Sequence, residues 1–283
     1  MCLPQENCCM LKPLLILASV LLLLPNIPGI QLKTSTTSYN GKEKFNPELS
    51  YINSVDKLEK YVDAAAKDKN IAFTSLEYAE ILDNAIALRF YKGQSNKTLQ
   101  QNWITVVADK LAGTNYSMLL SADDILQYPN AAVMQQNLVM MELLKRKNIE
   151  YRNISLNEKD ALEIKSGSNW YFFDVSNEPN IKAEERISGN HGIYASNLSG
   201  YYGPASHAAF GNGLINIKRG NVNDSAIASI QAVQIFTTIL SKTAWIFSLL
   251  MLWAVRKRPF KLYAIKPKGK YIQMFPMQSL YNA

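Results

Sequence analysis

Apolar residues along this chain gather into two long runs that bracket a body of mixed pattern. The first, Leu11 to Leu24, ends at Pro25 and matches the core of a signal peptide in length. No small-x-small cleavage pattern follows it, which favours an uncleaved signal anchor over a removed signal peptide within residues 1–30. The second, Ile230 to Val255, is broken by Gln231, Gln234 and Lys242 and meets Arg256-Lys257-Arg258. Its length predicts a transmembrane helix over 230–255, provided that Lys242 sits toward the far interface, where its stem can snorkel; Trp245 and Trp253 then reach the interfaces.

Between the runs, residues 31–48 are polar and turn-rich, as a linker would be, and the body proper spans 49–229. Val55, Leu58, Tyr61, Val62 and Ala65 share one face at helical spacing. Thr74 and Glu77 form a capping-box pattern ahead of Leu76, Ala79, Ile81, Ala85 and Leu88. A third helix is predicted over 98–112, with Trp103, Val106, Val107 and Leu111 inward and Gly113 as its stop. After the turn at Pro129-Asn130, the segment AAVMQQNLVMMELLKRKN has helix-forming composition, with basic residues where they suit the C-terminal dipole. Three strand-like runs follow at 150–156, 160–165 and 169–175, the last two joined by Ser166-Gly167-Ser168. The expectation is an α+β domain, helices packed on a small antiparallel sheet, flanked by membrane segments.

Charge changes the picture only at the end of the chain. The net charge is +7, and residues 256–283 carry seven Lys and Arg with no Asp or Glu, so the rest is formally neutral. A basic tail beside an apolar run fits the cytoplasmic bias of Lys and Arg, and it argues against a nucleic-acid surface. The tail is then cytoplasmic and the body lies outside the cytoplasm, at the cell membrane. All three cysteines, Cys2, Cys8 and Cys9, lie in the first nine residues, so the body holds no thiol chemistry.

Helix with a Gln pair, strand, strand, then the aromatic strand NWYFFDV ending in Asp174: this order, over about residues 98–180, resembles bacterial transglutaminase-like proteins of the papain-related α+β fold. The resemblance implies a Cys opening the helix, a His on a following strand and an Asp ending the next. A thiolate at a helix N-terminus beside an imidazolium is nucleophilic near neutral pH, and the Asp orients the imidazole. Here Val133 stands where the Cys is expected, and the His position falls at Lys159, or at Asp160 if the register slips by one. Only Asp174 matches, as a vestige.

The resemblance therefore implies a pseudoenzyme: a catalytically inactive membrane protein that binds an extended peptide, or another membrane or envelope protein, besides the lipid bilayer. Gln135, Gln136, Trp170 and His207 are the candidate binding residues. The alternative is an active amide hydrolase or transamidase with an atypical set, Lys159 with Asp174, or His207. A third possibility makes the transmembrane helix the functional part, with Lys242 selecting a membrane partner. His191 and His207 show no metal-ligand spacing, and neither a metal nor a cofactor is expected. Both lie in a segment, 189–220, that holds seven of the thirteen glycines together with Tyr194, Tyr201 and Tyr202; a loop of that length and composition suits adaptable contacts.

Overall fold

The structure is a computed structural model that describes residues 5–27, 39, 41, 43–156, 159–176, 217–225 and 227–257. Seven α-helices lie among them: α1 (Gln5–Leu23), α2 (Val55–Asp68), α3 (Leu76–Arg89), α4 (Leu99–Ala112), α5 (Ala122–Leu126), α6 (Val133–Arg146) and α7 (Ala228–Lys257). The strands are β1 (Tyr91–Lys92), β2 (Asn130–Ala131), β3 (Tyr151–Leu156), β4 (Lys159–Ser166), β5 (Asn169–Phe173) and β6 (Ile217–Val222). The fold is α+β, as its alternating and helical patterns imply.

Local chemistry sets the helix starts. Ser54 caps α2 by accepting from Lys57 N, and Ser75 caps α3 by accepting from Tyr78 N. The cap of α3 is thus Ser75, one residue beyond the Thr74 that the capping-box pattern singles out. A full capping box appears instead at α4, where Thr98 and Gln101 bond reciprocally, and Gly113 closes that helix at φ 64°.

α6 lies at the centre. Leu138, Val139, Met140, Met141, Leu143 and Leu144 are all buried, so this helix is covered almost all round. It packs against α2, α3 and α5 on its flanks and against β4 of the main sheet. Burying side chains of this size contributes roughly 1.5–3 kcal/mol each, so α6 supplies much of what offsets the ordering of the body.

The main sheet has the order β5-β4-β3-β6, with every neighbouring pair antiparallel. The register pairs Tyr151 with Ile164, Leu162 with Phe173 and Ile164 with Tyr171, and these residues join the α6 core. Side chains alternate across a strand, so Ile154, Ala161, Glu163 and Phe172 belong to the opposite face, which is also buried. The β3–β6 register shifts between Arg152 and Ile154, and there Gly220 lies so close that a Cβ would sit 3.2 Å from the Asn153 carbonyl oxygen.

α1 and α7 stand together beside the body. They run antiparallel, joined by a 2.7 Å hydrogen bond between the Ser19 and Ser248 hydroxyls. Ala228–Ala254 is long and apolar enough to cross a membrane: 27 residues rise about 40 Å against a hydrocarbon core of about 30 Å. The apolar part of α1, Lys12–Asn26, is shorter. Leu14, Leu17 and Leu21 of α1 and Phe236, Ile239, Phe247, Leu250 and Met251 of α7 are all more than half exposed.

Candidate functional site

The positions singled out by the resemblance can now be placed. Val133 is the first residue of α6, and Lys159 opens β4 opposite Leu156. Asp174 follows directly on β5 and is buried. Phe173 and Val175 both belong to the α6 core, so alternation puts Asp174 on the other parity. Lys159 has the register parity of Ala161 and Glu163 on β4. Asp174 therefore lies on the sheet parity turned from α6, the helix that Val133 opens, where it is not placed to orient a base beside that position. Asp160, the slipped-register alternative, has the α6-facing parity, and burial raises its carboxyl above the ordinary value of 3.8.

Gln135 and Gln136 need correction as ligand-binding residues. Gln135 is fully buried: its Oε1 accepts from Ser95 N at 2.9 Å and Ala132 N at 3.1 Å, and its Nε2 donates to the carbonyls of Ser95 at 2.8 Å and Leu119 at 3.0 Å. Every polar direction of the amide is used, so nothing is left for a ligand. Gln136, also buried, donates to Ala131 O at 3.0 Å. Both hold the turn before α6 in place. His207 lies outside the described residues.

Trp170 sits at the outer edge of the sheet in a charged cluster that sequence reasoning missed. The Arg152 guanidinium lies 4.2 Å from the Trp170 ring centroid and bonds Glu163, while Arg219 of β6 reaches the same carboxylate at 3.4 Å. Glu163 is completely buried. Two guanidiniums and an aromatic face around one buried carboxylate tie β3, β4, β5 and β6 together across the sheet. In the sequence the four residues span 68 positions with no shared spacing.

A second missed feature joins the body to α7. Gln234, Thr237, Thr238, Ser241 and Lys242 recur at helical spacing along one face of α7, and α4 covers that face. The buried Asn102 Nδ2 donates to Thr237 Oγ1 at 2.9 Å and Thr238 Oγ1 at 3.0 Å; Trp103 Nε1 donates to Ser241 O at 3.2 Å. Gln234 Nε2 donates to the carbonyls of Tyr116 at 2.8 Å and Met118 at 2.6 Å. Lys242 Nζ donates to Gln100 O at 2.5 Å, so this lysine is bound to α4. α4 itself leaves helical geometry at Asn102 (φ −160°, ψ 86°), whose Oδ1 then accepts from Thr105 N and restarts the helix. Of the residues expected inward on α4, Val106 is buried, whereas Val107 and Leu111 are exposed.

A cavity of about 350 Å³ opens between the C-terminal half of α6, the start of α5, β3 and the connector from β6 to α7. Leu138 and Met141 form its apolar wall; Asp123, Glu142, Lys145 and Asp224 bring charge to it. Tyr151 lines it while only 3% exposed. Burial, and then the carboxylates of Glu142 and Asp224, raise the Tyr151 phenol above its ordinary pKa. The connector is pinned beside it: Asn223, at φ 58°, donates its N–H to Tyr151 O at 2.7 Å and accepts from Tyr151 N at 3.2 Å.

Among the described residues no group of His, Cys, Asp or Glu is placed to hold a metal ion. Compared with protein-family models, with curated proteins and with solved structures, the chain matches none.

Proposed function

We propose that this protein is a catalytically inactive, transglutaminase-like binding module, anchored by α7 with α1 alongside, whose body binds a peptide or protein partner outside the cytoplasm while its basic tail lies inside. The observation that carries the reading is chemical: the position opening α6 is Val133, which has no attacking atom, and Asp174 falls on the sheet parity turned away from that helix. The order of α6 followed by the antiparallel β3, β4 and β5 supports the likeness. The exposed apolar surface of α7, continued on α1, supports the anchor. Seven basic residues from Arg256 onward, the first two of them the last residues of α7, favour the cytoplasmic tail.

The test is transamidation and amide hydrolysis by the full chain in lipid nanodiscs, beside Asp174→Ala and two designed Cys–His pairs. One pair combines Val133→Cys with Lys159→His, the other Val133→Cys with Asp160→His. The native chain should be silent, and any gained turnover should appear in the Asp160→His set, which has the α6-facing parity. Native turnover that disappears in a folded Asp174→Ala variant would make the protein an enzyme with an unusual catalytic set.

A further inference from the structure

We propose that α4 lies in the outer leaflet of the bilayer, its apolar stripe against lipid at the boundary between headgroups and acyl chains, so that the body rests on the membrane and does not stand off it. The first observation is that α4 is inverted. Its buried residues are Asn102, Thr105 and Val106, two of them polar, while Ile104, Val107, Ala108 and Leu111 recur at helical spacing on the opposite side. Leu111 is 84% exposed and Val107 37%. Polar residues turned to the protein and an apolar stripe turned outward suit a helix whose outer medium is lipid.

The second observation is depth. Ser19 and Ser248 bond each other, which puts them at one level of the antiparallel pair α1 and α7. Lys12 stands seven residues before Ser19 and Arg256 eight residues after Ser248, so both basic positions fall about 10–12 Å to the same side of that level. Seven residues the other way lie Asn26 and Ser241. Trp103 of α4 bonds Ser241 O, and the turn Leu24–Asn26 packs against α4. The distance from the basic level to α4 is therefore about 21 Å, whereas a hydrocarbon core is about 30 Å thick. With its inner boundary at Lys12 and Arg256, the core extends past Lys242 to about Phe236 and takes in the contact with α4. Both sides of α7 fit that depth. Phe236 and Ile239, on the side away from α4, are apolar and more than half exposed. On the α4 side the polar groups are met: Asn102 donates to Thr237 and Thr238, and Lys242 donates to Gln100 O, as a water-free surrounding demands.

The inference rests on the reading of α7 as the membrane anchor and goes beyond it. The test places a nitroxide on single cysteines of the full chain in phosphatidylcholine nanodiscs, in a Cys2→Ser, Cys8→Ser, Cys9→Ser background. Leu111→Cys reports on α4, Met251→Cys on α7, and Lys69→Cys on the solvent side, all three positions being exposed. Relative accessibility to oxygen and to a water-soluble nickel chelate reads the depth of each label. The label at 111 should report lipid, about 5–10 Å below the headgroups, that at 251 lipid also, and that at 69 water. Lipid at 251 with water at 111 overturns the proposal and leaves the anchor standing. Water at both overturns the anchor reading and the proposal with it. A label at 111 shielded from both reagents overturns the proposal as well, because protein and not lipid then covers the stripe. Val107→Cys, on the same stripe, supplies the reading if Leu111→Cys fails to fold.

Discussion

Two amides two residues apart on α6, both buried, make opposite predictions. Gln135 satisfies Ser95, Leu119 and Ala132 together, so Gln135→Ala strands several buried backbone groups and should cost about 3 kcal/mol or more in denaturant unfolding. Asn137 is 1% exposed, and neither its Oδ1 nor its Nδ2 has a partner among the described residues. Asn137→Leu should therefore stabilise, by about 1–2 kcal/mol, since it removes an unpaid desolvation at similar volume; a loss of stability there would mean the amide has a role the fold does not reveal. At Asp160 the folded state binds the proton more tightly than the unfolded chain, because burial raises its carboxyl above 3.8. Its contribution is complete below that ordinary value and is lost as pH rises through the raised one. Asp160→Asn should flatten this decline and leave the protein more stable at neutral pH, which unfolding curves across the acid range would register. What was legible at this scale was residue type: the missing thiol, the lone Asp174, the aromatic strand. What was not legible was parity. A shift of one residue turns every side chain of a strand to the other face, and only the pairing of Leu162 with Phe173 settles which face holds Asp160.

Strands β3, β4 and β5 and helices α2, α3 and α6 followed from local pattern, capping signals and composition, because each presents signals that its own neighbours in sequence complete. α4 did not. Its predicted inward stripe included Val107 and Leu111, yet the helix turns Asn102, Thr105 and Val106 inward, since its partner is the polar face of α7 more than 120 residues away. Local spacing cannot announce a partner at that separation. Asn102→Ala should accordingly speed amide exchange along α4 in the nanodisc-bound protein while α2, α3 and α6 keep their protection. Uniform loosening of all four helices would show that Asn102 supports the core and not the α4–α7 contact alone. The arginine pair on Glu163 escaped notice for the same reason, its members lying on three strands.

On the scale of the whole molecule, the body and the apolar helix are less separable than their sequences suggest. The boundary drawn at residue 229 from hydropathy falls before Gln234, whose side chain holds the Tyr116 and Met118 carbonyls of the body. A chain beginning at Gln31 and ending at Ser229 should unfold at a markedly lower temperature than one ending at Thr243, both measured in mild detergent; equal melting would show that the first half of α7 is dispensable to the body. That half carries two surfaces at once, polar toward α4 and apolar outward through Ile235, Phe236 and Ile239. Anyone exchanging the anchor for a generic hydrophobic helix thus faces a definite splice point. A graft made at Ala228 discards the hydrogen-bonding partners of Asn102, whereas one made after Lys242 keeps every side-chain bond by which α4 and the Tyr116 and Met118 carbonyls hold the helix.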